Sequence, residues 1–504
     1  MRHLRLRRAL AATAATALLA GCSTSTTADL TTTSADSSTS SVAVSDATTV
    51  TDALSGNVEV ETGDTSYDES EVVDVTLSGG AAETDSEAVS SEDGTVTINA
   101  PGTYRLSGEL DGQLVVDSAG DGVVRLVLDD VSISSESTSA VNVVGAESVT
   151  VVLAEGSTNT LTDATSYADT SEDAPTAALH STADLTIGGT GALAVTGNTN
   201  NGIVGKDGLV ITGGTIEVTS VDDGIIGKDY LAISGGDIAV DAVDDGIKSD
   251  NTTDPGSGFV LVEGGSVEVS SQDDGIKGVQ VLVAGGTIDV AGSTEAMEGS
   301  LIIIDGGDIE LHSADDGVNV ATSDDSASTD GSGGPPDAGG GGGSMATDDS
   351  LNLVVNGGTL EVWASGDGLD SNGNAVIAGG DITVYGPTSD GNGAVDVNGT
   401  FDVSGGTLLA TGSAGMMVAP SPDSPQAWVS TALPGAAAAG SEVVITAADG
   451  TQIASYTVEK DFASVTFSSA DLEHGATYTV TVDGTDTEVT AGEAPAGSHG
   501  PMGG

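Results

Sequence analysis

The stretch DDGIIGKDYLAISGGDIAVDAVDDGIK, Asp222 to Lys248, opens and closes on the same acidic pair, glycine and isoleucine, 22 positions apart. Between the two copies lie short alternating apolar runs such as Leu231 with Ile233, broken by Gly235-Gly236. Such runs are too short for helices, are rich in Thr, Val and Ile, and hold almost no proline, so they read as strands.

Working outward, Gly-Gly pairs begin at Gly188, Gly213, Gly235, Gly264, Gly285, Gly306, Gly357, Gly379 and Gly405. The spacing is mostly 21 to 29 residues, with one gap of 51 that holds the low-complexity segment SDDSASTDGSGGPPDAGGGGGSMATDDS. Three short strands and three turns in about 22 residues make one coil of a parallel β-solenoid, which advances by roughly 4.8 Å per coil. Equivalent residues must then stack in columns. The position after the acidic-Gly element is Ile203, Ile225, Ile247, Ile276, Met297, Val318 and Leu369, apolar each time, as an interior ladder requires. Leu231 with Ile233, Val260 with Val262, and Val281 with Val283 form the same kind of ladder on another face.

The expected organisation is all-β. Residues 1–21 read as a lipoprotein signal peptide and 22–56 as a disordered Ser/Thr-rich stalk. Residues 57–426 form the parallel β-helix, with a Gly-rich loop insertion at 321–350. Residues 427–491 form a small antiparallel β module that caps it, since longer alternating strands separated by Asp-Gly turns appear there. Residues 492–504 are a Gly-rich disordered tail. Arg2, Arg5, Arg7 and Arg8 precede an apolar run too short to span a bilayer, followed by Leu19-Ala20-Gly21-Cys22. Cys22, the only cysteine, is the expected lipidation site. It would tether the protein to the outer face of a bacterial membrane, with no other membrane contact.

The 504 residues carry 77 Asp plus Glu against 11 Lys plus Arg, a formal charge of −66, which argues against nucleic-acid binding. Hydrophobic residues make up 38%, enough to bury a long core rather than leave the chain disordered. A monomer is expected.

Stacking concentrates the acidity. One column reads Asn201, Asp223, Asp245, Asp274, Glu295, Asp316 and Asp367, and the position before it reads Asn200, Asp222, Asp244, Asp273, Thr294, Asp315 and Gly366. Two unit charges about 4.8 Å apart repel by roughly 1 kcal/mol at the dielectric of water and about 3 to 4 at an effective value of 20. Raised pKa values, the nearby lysines or a bound divalent cation could relieve this. Clustered carboxylates and turn carbonyls are the hard oxygen donors that Ca²⁺ prefers. The candidate metal ligands are therefore Asp222, Asp223, Asp244, Asp245, Asp273, Asp274, Glu295, Glu298, Asp315, Asp316, Asp367 and Asp370. The bland alternative makes these aspartates turn formers, since Asp-Gly favours turns anywhere. Asn200-Asn201 departs from the acidic pattern, so no metal is expected at that rung. Lys206, Lys228, Lys248 and Lys277 follow the acidic element. They either neutralise the ladder or face a ligand. Aromatics are only 3% of the chain, and Trp363 and Tyr385 are the candidates for contact with sugar rings.

The DDGI coils, with YADTSEDAPTAALHSTADLTIGGTGAL, GDGLDSNGNAVIAGG, YGPTSDGNGAVDVNGTFDVSGGTL and SAGMMVAP, resemble the secreted bacterial β-helix carbohydrate-binding family that includes polygalacturonate binders of cellulolytic clostridia. The resemblance covers about Ser55 to Ala491. It implies a right-handed parallel β-helix similar to pectate lyases, bound Ca²⁺, and binding of acidic sugar polymers. The expected function is thus non-catalytic, Ca²⁺-dependent recognition of acidic polysaccharide at the cell surface. Two alternatives stay open. A Ca²⁺-dependent polysaccharide lyase would use Lys248 or Lys277 as its base. A structural adhesin or spacer would be stiffened by Ca²⁺.

Overall fold

The structure, a computed structural model, describes residues 47–119, 122–171, 174–322 and 348–495. The expected signal peptide, Cys22, residues 22–46 of the expected stalk, residues 323–347 of the expected loop insertion, and the expected tail from 496 lie outside the described residues.

Each repeat is one coil of three strands, and each strand pairs in parallel with its equivalent in the next coil. In the coil quoted above the strands are Tyr230–Ile233, Asp237–Ala242 and Ile247–Ser249. Tyr230 lies opposite Phe259, Ile238 opposite Val267, and Ile247 opposite Ile276. The third strands form a 13-stranded sheet along the molecule. The interior column runs in unbroken register from Ile203 through Ile225, Ile247, Ile276, Met297 and Val318 to Leu369, and all seven side chains are buried. The fold is a parallel β-helix.

The Gly-Gly pairs turn the corner between first and second strands. Gly236 has φ +101°, and a Cβ there would lie 3.0 Å from the carbonyl oxygen of Gly214 in the coil before. Both the left-handed backbone and the tight coil spacing therefore require glycine. At the far end, Phe462–Ser468 pairs antiparallel with the last coil strand, Thr407–Gly412, and with Trp428–Ala437. A four-stranded antiparallel sheet between Ser441 and Thr490 completes this module.

Two boundaries need correction. The stalk does not extend to residue 56, because Val50–Gly56 is an α-helix whose Thr49 side chain caps the N–H of Asp52. Coils also begin only with the strand Val72–Gly79, not at residue 57. The segment in between is a strap that runs back along the outside of the solenoid. Val50 N donates to Asp305 Oδ2 at 2.9 Å, and the side chains of Asn57 and Gln280 pair at 3.1 and 3.0 Å. Further along, Val58 N donates to Gly256 O, Glu61 N to Tyr230 Oη, Gly63 N to Thr186 Oγ1, and Arg125 donates to Asp64 O. Beneath the strap, Val210, Ala232, Leu261, Leu282 and Ile303 point outward, and with Val50 and Ala53 they form a second apolar layer. The first strands are thus apolar on both faces because both are covered.

Candidate functional site

The acidic column sits at the turn that leads into the third strand, and its carboxylates are hydrogen-bonded from coil to coil. Asp223 N donates to Asn201 Oδ1 at 3.0 Å, Asp245 N to Asp223 Oδ1 at 3.2 Å, and Asp274 N to Asp245 Oδ1 at 3.1 Å. Lower down, Asp367 N donates to Asp316 Oδ1 at 2.6 Å, and Gly393 N to Asp367 Oδ1 at 2.5 Å. One side-chain oxygen of Asn201, Asp223, Asp245, Asp316 and Asp367 therefore satisfies a backbone N–H that would otherwise be orphaned in the next turn. This accounts for the Asp or Asn before the glycine, and it leaves the second carboxylate oxygen and the preceding Asp for other work.

Two lysines answer part of the charge. Lys248 Nζ lies 2.6 Å from Asp245 Oδ2 and 3.5 Å from Asp223 Oδ1. Lys277 Nζ pairs with Asp274 Oδ2 and lies 2.7 Å from Glu298 Oε2. Burial works against both ammonium charges, but the carboxylates Asp245 and Asp274 outweigh it and hold both lysines protonated. The ligand-facing role considered for Lys248 and Lys277 is therefore corrected: both are folded onto the ladder. Lys248 and Lys277 stack on one another in the outward column of the third sheet, which continues as Glu298, Asn319 and Asp370.

Three groups of carboxylates approach closely enough to share a cation: Asp222, Asp223 and Asp244; Asp244, Asp245 and Asp273; and Asp274, Glu295 and Glu298. Within each group one oxygen per residue lies within 4.8 Å of the others. Asp315, Asp316, Asp367 and Asp370 join no such group. They form the lower ladder, where Asp316, Asp367 and Asp370 make no ion pair with Lys or Arg among the described residues.

Burial pushes Asp316 up to about 7, with the Asp367 charge adding to it, and Glu295 up to about 7 against the hydrogen bond from Asn319. It also pushes Asp367 up to about 6 and raises Asp370 well above the ordinary range. Asp223 rises to about 6 through burial, opposed by Lys248. Asn319 Nδ2 donates to Glu295 Oε2 at 2.7 Å, while its Oδ1 is buried and accepts no hydrogen bond among the described residues.

Lys206 and Lys228 occupy a different place. They stand at the corner after the third strand, where Lys206 N donates to Ser181 O and Lys228 N to Gly205 O. Both are exposed and line a cavity of about 250 Å³ with Asn200, Asn201, Val204 and Ile226. The four lysines thus form two pairs rather than one row. The offset was countable in the sequence, since Lys206 and Lys228 fall five residues after Asn201 and Asp223, whereas Lys248 and Lys277 fall three after Asp245 and Asp274.

The aromatic platform is also corrected. Trp363 and Tyr385 lie on the second strands of consecutive coils; His312 stacks on Trp363 at a ring separation of 5.6 Å, and the Tyr385 ring lies tilted 4.3 Å from Trp363. Tyr385 is buried with Leu409, Val429 and Phe467 beneath the C-terminal module, and Trp363 packs against the same cluster. Neither ring presents an open face beside the ladder.

A curated carbohydrate-binding domain-containing protein of Acetivibrio thermocellus is 42% identical over 126 residues, which cover 24% of this chain. The match spans 44% of that relative, under half its length. A solved polysaccharide lyase-like protein from C. thermocellum, a gadolinium derivative, is 32% identical, covers 50% of this chain and 97% of its own, and superposes with a TM-score of 0.40. Residues 92–335, which hold the ladder from Asn201 to Asp316, match the family of carbohydrate-binding domain-containing proteins.

Proposed function

We propose that this protein is a non-catalytic, Ca²⁺-dependent binder of acidic polysaccharide of the polygalacturonate type, carried on the outer face of the bacterial membrane by lipid on Cys22. One observation carries the reading. The overlapping groups Asp222, Asp223, Asp244 and Asp244, Asp245, Asp273 bring together five carboxylates, and Lys248 is paired with only two of them. The donor set is all oxygen, which suits Ca²⁺. Asp222, Asp244 and Asp273 are the more open members, so an ion held there keeps positions for oxygens from outside the protein. A glycan carboxylate could fill them, because Ca²⁺ takes six to eight oxygens. The third group is already bridged by Lys277. The match of residues 92–335 to a carbohydrate-binding family supports a glycan as the ligand.

The ion pairs disfavour the lyase alternative. Lys248 and Lys277 are both ion-paired and held protonated, and a protonated amine cannot remove a proton. Calorimetric titration of Ca²⁺, followed by polygalacturonate binding with and without chelator, tests the proposal. Uptake of Ca²⁺ and chelator-sensitive glycan binding are expected. Ca²⁺ uptake without glycan binding would favour the spacer, and no uptake at millimolar Ca²⁺ would return the aspartates to a purely structural role.

A further inference from the structure

We propose that the cavity between Lys206 and Lys228 is a metal-independent subsite for a single carboxylate-bearing sugar residue. This rests on the reading that the protein binds acidic polysaccharide, and it adds a place, an orientation and a mode of contact separate from Ca²⁺.

The lysines come first. Gly205 pairs with Gly227, so the two lysines that follow them occupy equivalent positions in consecutive coils, roughly 4.8 Å apart along the axis. Among the described residues neither ammonium lies within ion-pair distance of a carboxylate, although the chain carries 77 acidic residues. Lys248 and Lys277, by contrast, each bridge two carboxylates. Two adjacent exposed ammonium groups without a carboxylate partner among the described residues are free to meet a charge from another molecule. They suit an anion that comes from outside.

The ladder changes at the same level. Asn200-Asn201 takes the place of the acidic pair, yet Asn201 Oδ1 still accepts the N–H of Asp223, and its Nδ2 donates to Thr176 O. The hydrogen-bonded ladder is therefore preserved while its charge is removed. The ladder bond alone does not require that exchange, since Asp223 and Asp245 serve as acceptors in the two coils that follow; the amide adds only the bond to Thr176 O. The exchange also removes a negative charge that would oppose an anionic ligand at this rung.

The rest of the cavity fits a sugar ring rather than a bare anion. Ile226, which pairs with the buried Val204 in the outward column of the third sheet, is partly exposed and gives an apolar contact for a ring's C–H face. Asp222 and Asp250 stand on the wall and can accept hydrogen bonds from hydroxyls. The sugar's carboxylate then lies on the two ammonium groups, with its hydroxyls towards Asp222, Asp250 and Asn200. Asp222 is also a member of the first carboxylate group, so this subsite adjoins the candidate Ca²⁺ position. A polymer could be held by lysines at one residue and through an ion at a neighbouring one.

The test uses the full chain and short oligogalacturonates in excess chelator, with fully methyl-esterified and sulfated oligosaccharides as separate arms. Binding of the oligogalacturonate without metal is expected. It should fall at least tenfold in the double variant Lys206→Ala/Lys228→Ala, be retained in Lys206→Arg/Lys228→Arg, and be absent for the methyl ester. Asn201→Asp, which keeps the ladder acceptor but restores the charge, should weaken it as well, and Ca²⁺ uptake should be unchanged in the double lysine variants. Unchanged chelator-resistant binding in Lys206→Ala/Lys228→Ala, preferred binding of the sulfated arm, or binding that occurs only with Ca²⁺ would overturn the subsite while leaving the broader reading intact. No binding of any acidic glycan with or without Ca²⁺ would instead overturn the broader reading, and the subsite with it.

Discussion

The backbone N–H of Asp245 donates to Oδ1 of Asp223 one coil earlier, at 3.2 Å, and the same bond recurs from Asp274 to Asp245. A carboxylate in this column is thus a backbone acceptor before it is a charge. Asp245→Asn should retain the acceptor but weaken the partner of Lys248, so in chelator it should unfold below the parent and above Asp245→Ala. Asp245→Ala should lose about 1–3 kcal/mol, because the N–H of Asp274 is left buried without a partner. Urea denaturation of the two variants separates the roles.

The interior column is the apolar counterpart. Ile247 is fully buried between Ile225 and Ile276. Ile247→Ala should cost about 2–5 kcal/mol, the range for deleting a buried branched side chain and leaving a cavity. A denaturation midpoint unchanged from the parent would contradict its interior position.

The strap makes a separate prediction. A chain that begins after residue 58 lacks Val50 and Ala53, which lie over Leu261, Leu282 and Ile303. It should melt at a lower temperature, bind a hydrophobic dye and tend to self-associate, as exposed apolar sheet faces do. Dye fluorescence and size-exclusion chromatography check this.

The lower ladder, with Glu295 above it, sets a pH dependence. Burial raises Asp316 and Glu295 to about 7 and Asp367 to about 6, against ordinary values of 3.8 and 4.5. Between those values and the raised ones, the folded chain holds protons that the unfolded chain has released. Their contribution to stability is therefore fully present below about pH 4 and is lost as pH rises through 6 to 7. In chelator the melting temperature should fall across that window, and Asp316→Asn should flatten the fall.

Much of this fold was legible because the contacts are nearly local in the repeat. A residue's partner stands one coil away, 22 positions on for Ile225 and Ile247, so the columns could be aligned from glycine spacing alone. The strap was not legible as a contact, since Val50 and Asp305 are separated by 255 residues. Its cover did leave a trace. Phe259-Val-Leu-Val and Leu301-Ile-Ile-Ile are continuous apolar runs, whereas a strand with one solvated face alternates. Tyr385 could not be recognised as buried for a related reason, because what covers it is a module that follows the solenoid. The acidic column was found in the sequence. That its carboxylates accept backbone N–H groups depends on the turn geometry, which spacing alone does not give.

The most direct measurement of the central claim is the binding of polygalacturonate to the full chain at fixed ionic strength, in millimolar Ca²⁺ and in chelator, for the parent and for Asp222→Asn/Asp244→Asn/Asp273→Asn. These three residues leave the coil-to-coil hydrogen bonds of Asp223, Asp245 and Asp274 in place. The account predicts strong binding in Ca²⁺, a weaker remainder in chelator, and loss of the Ca²⁺-dependent part in the triple variant, with its fold intact. Equal binding by the parent in Ca²⁺ and in chelator, or undiminished Ca²⁺-dependent binding by the triple variant, would contradict it.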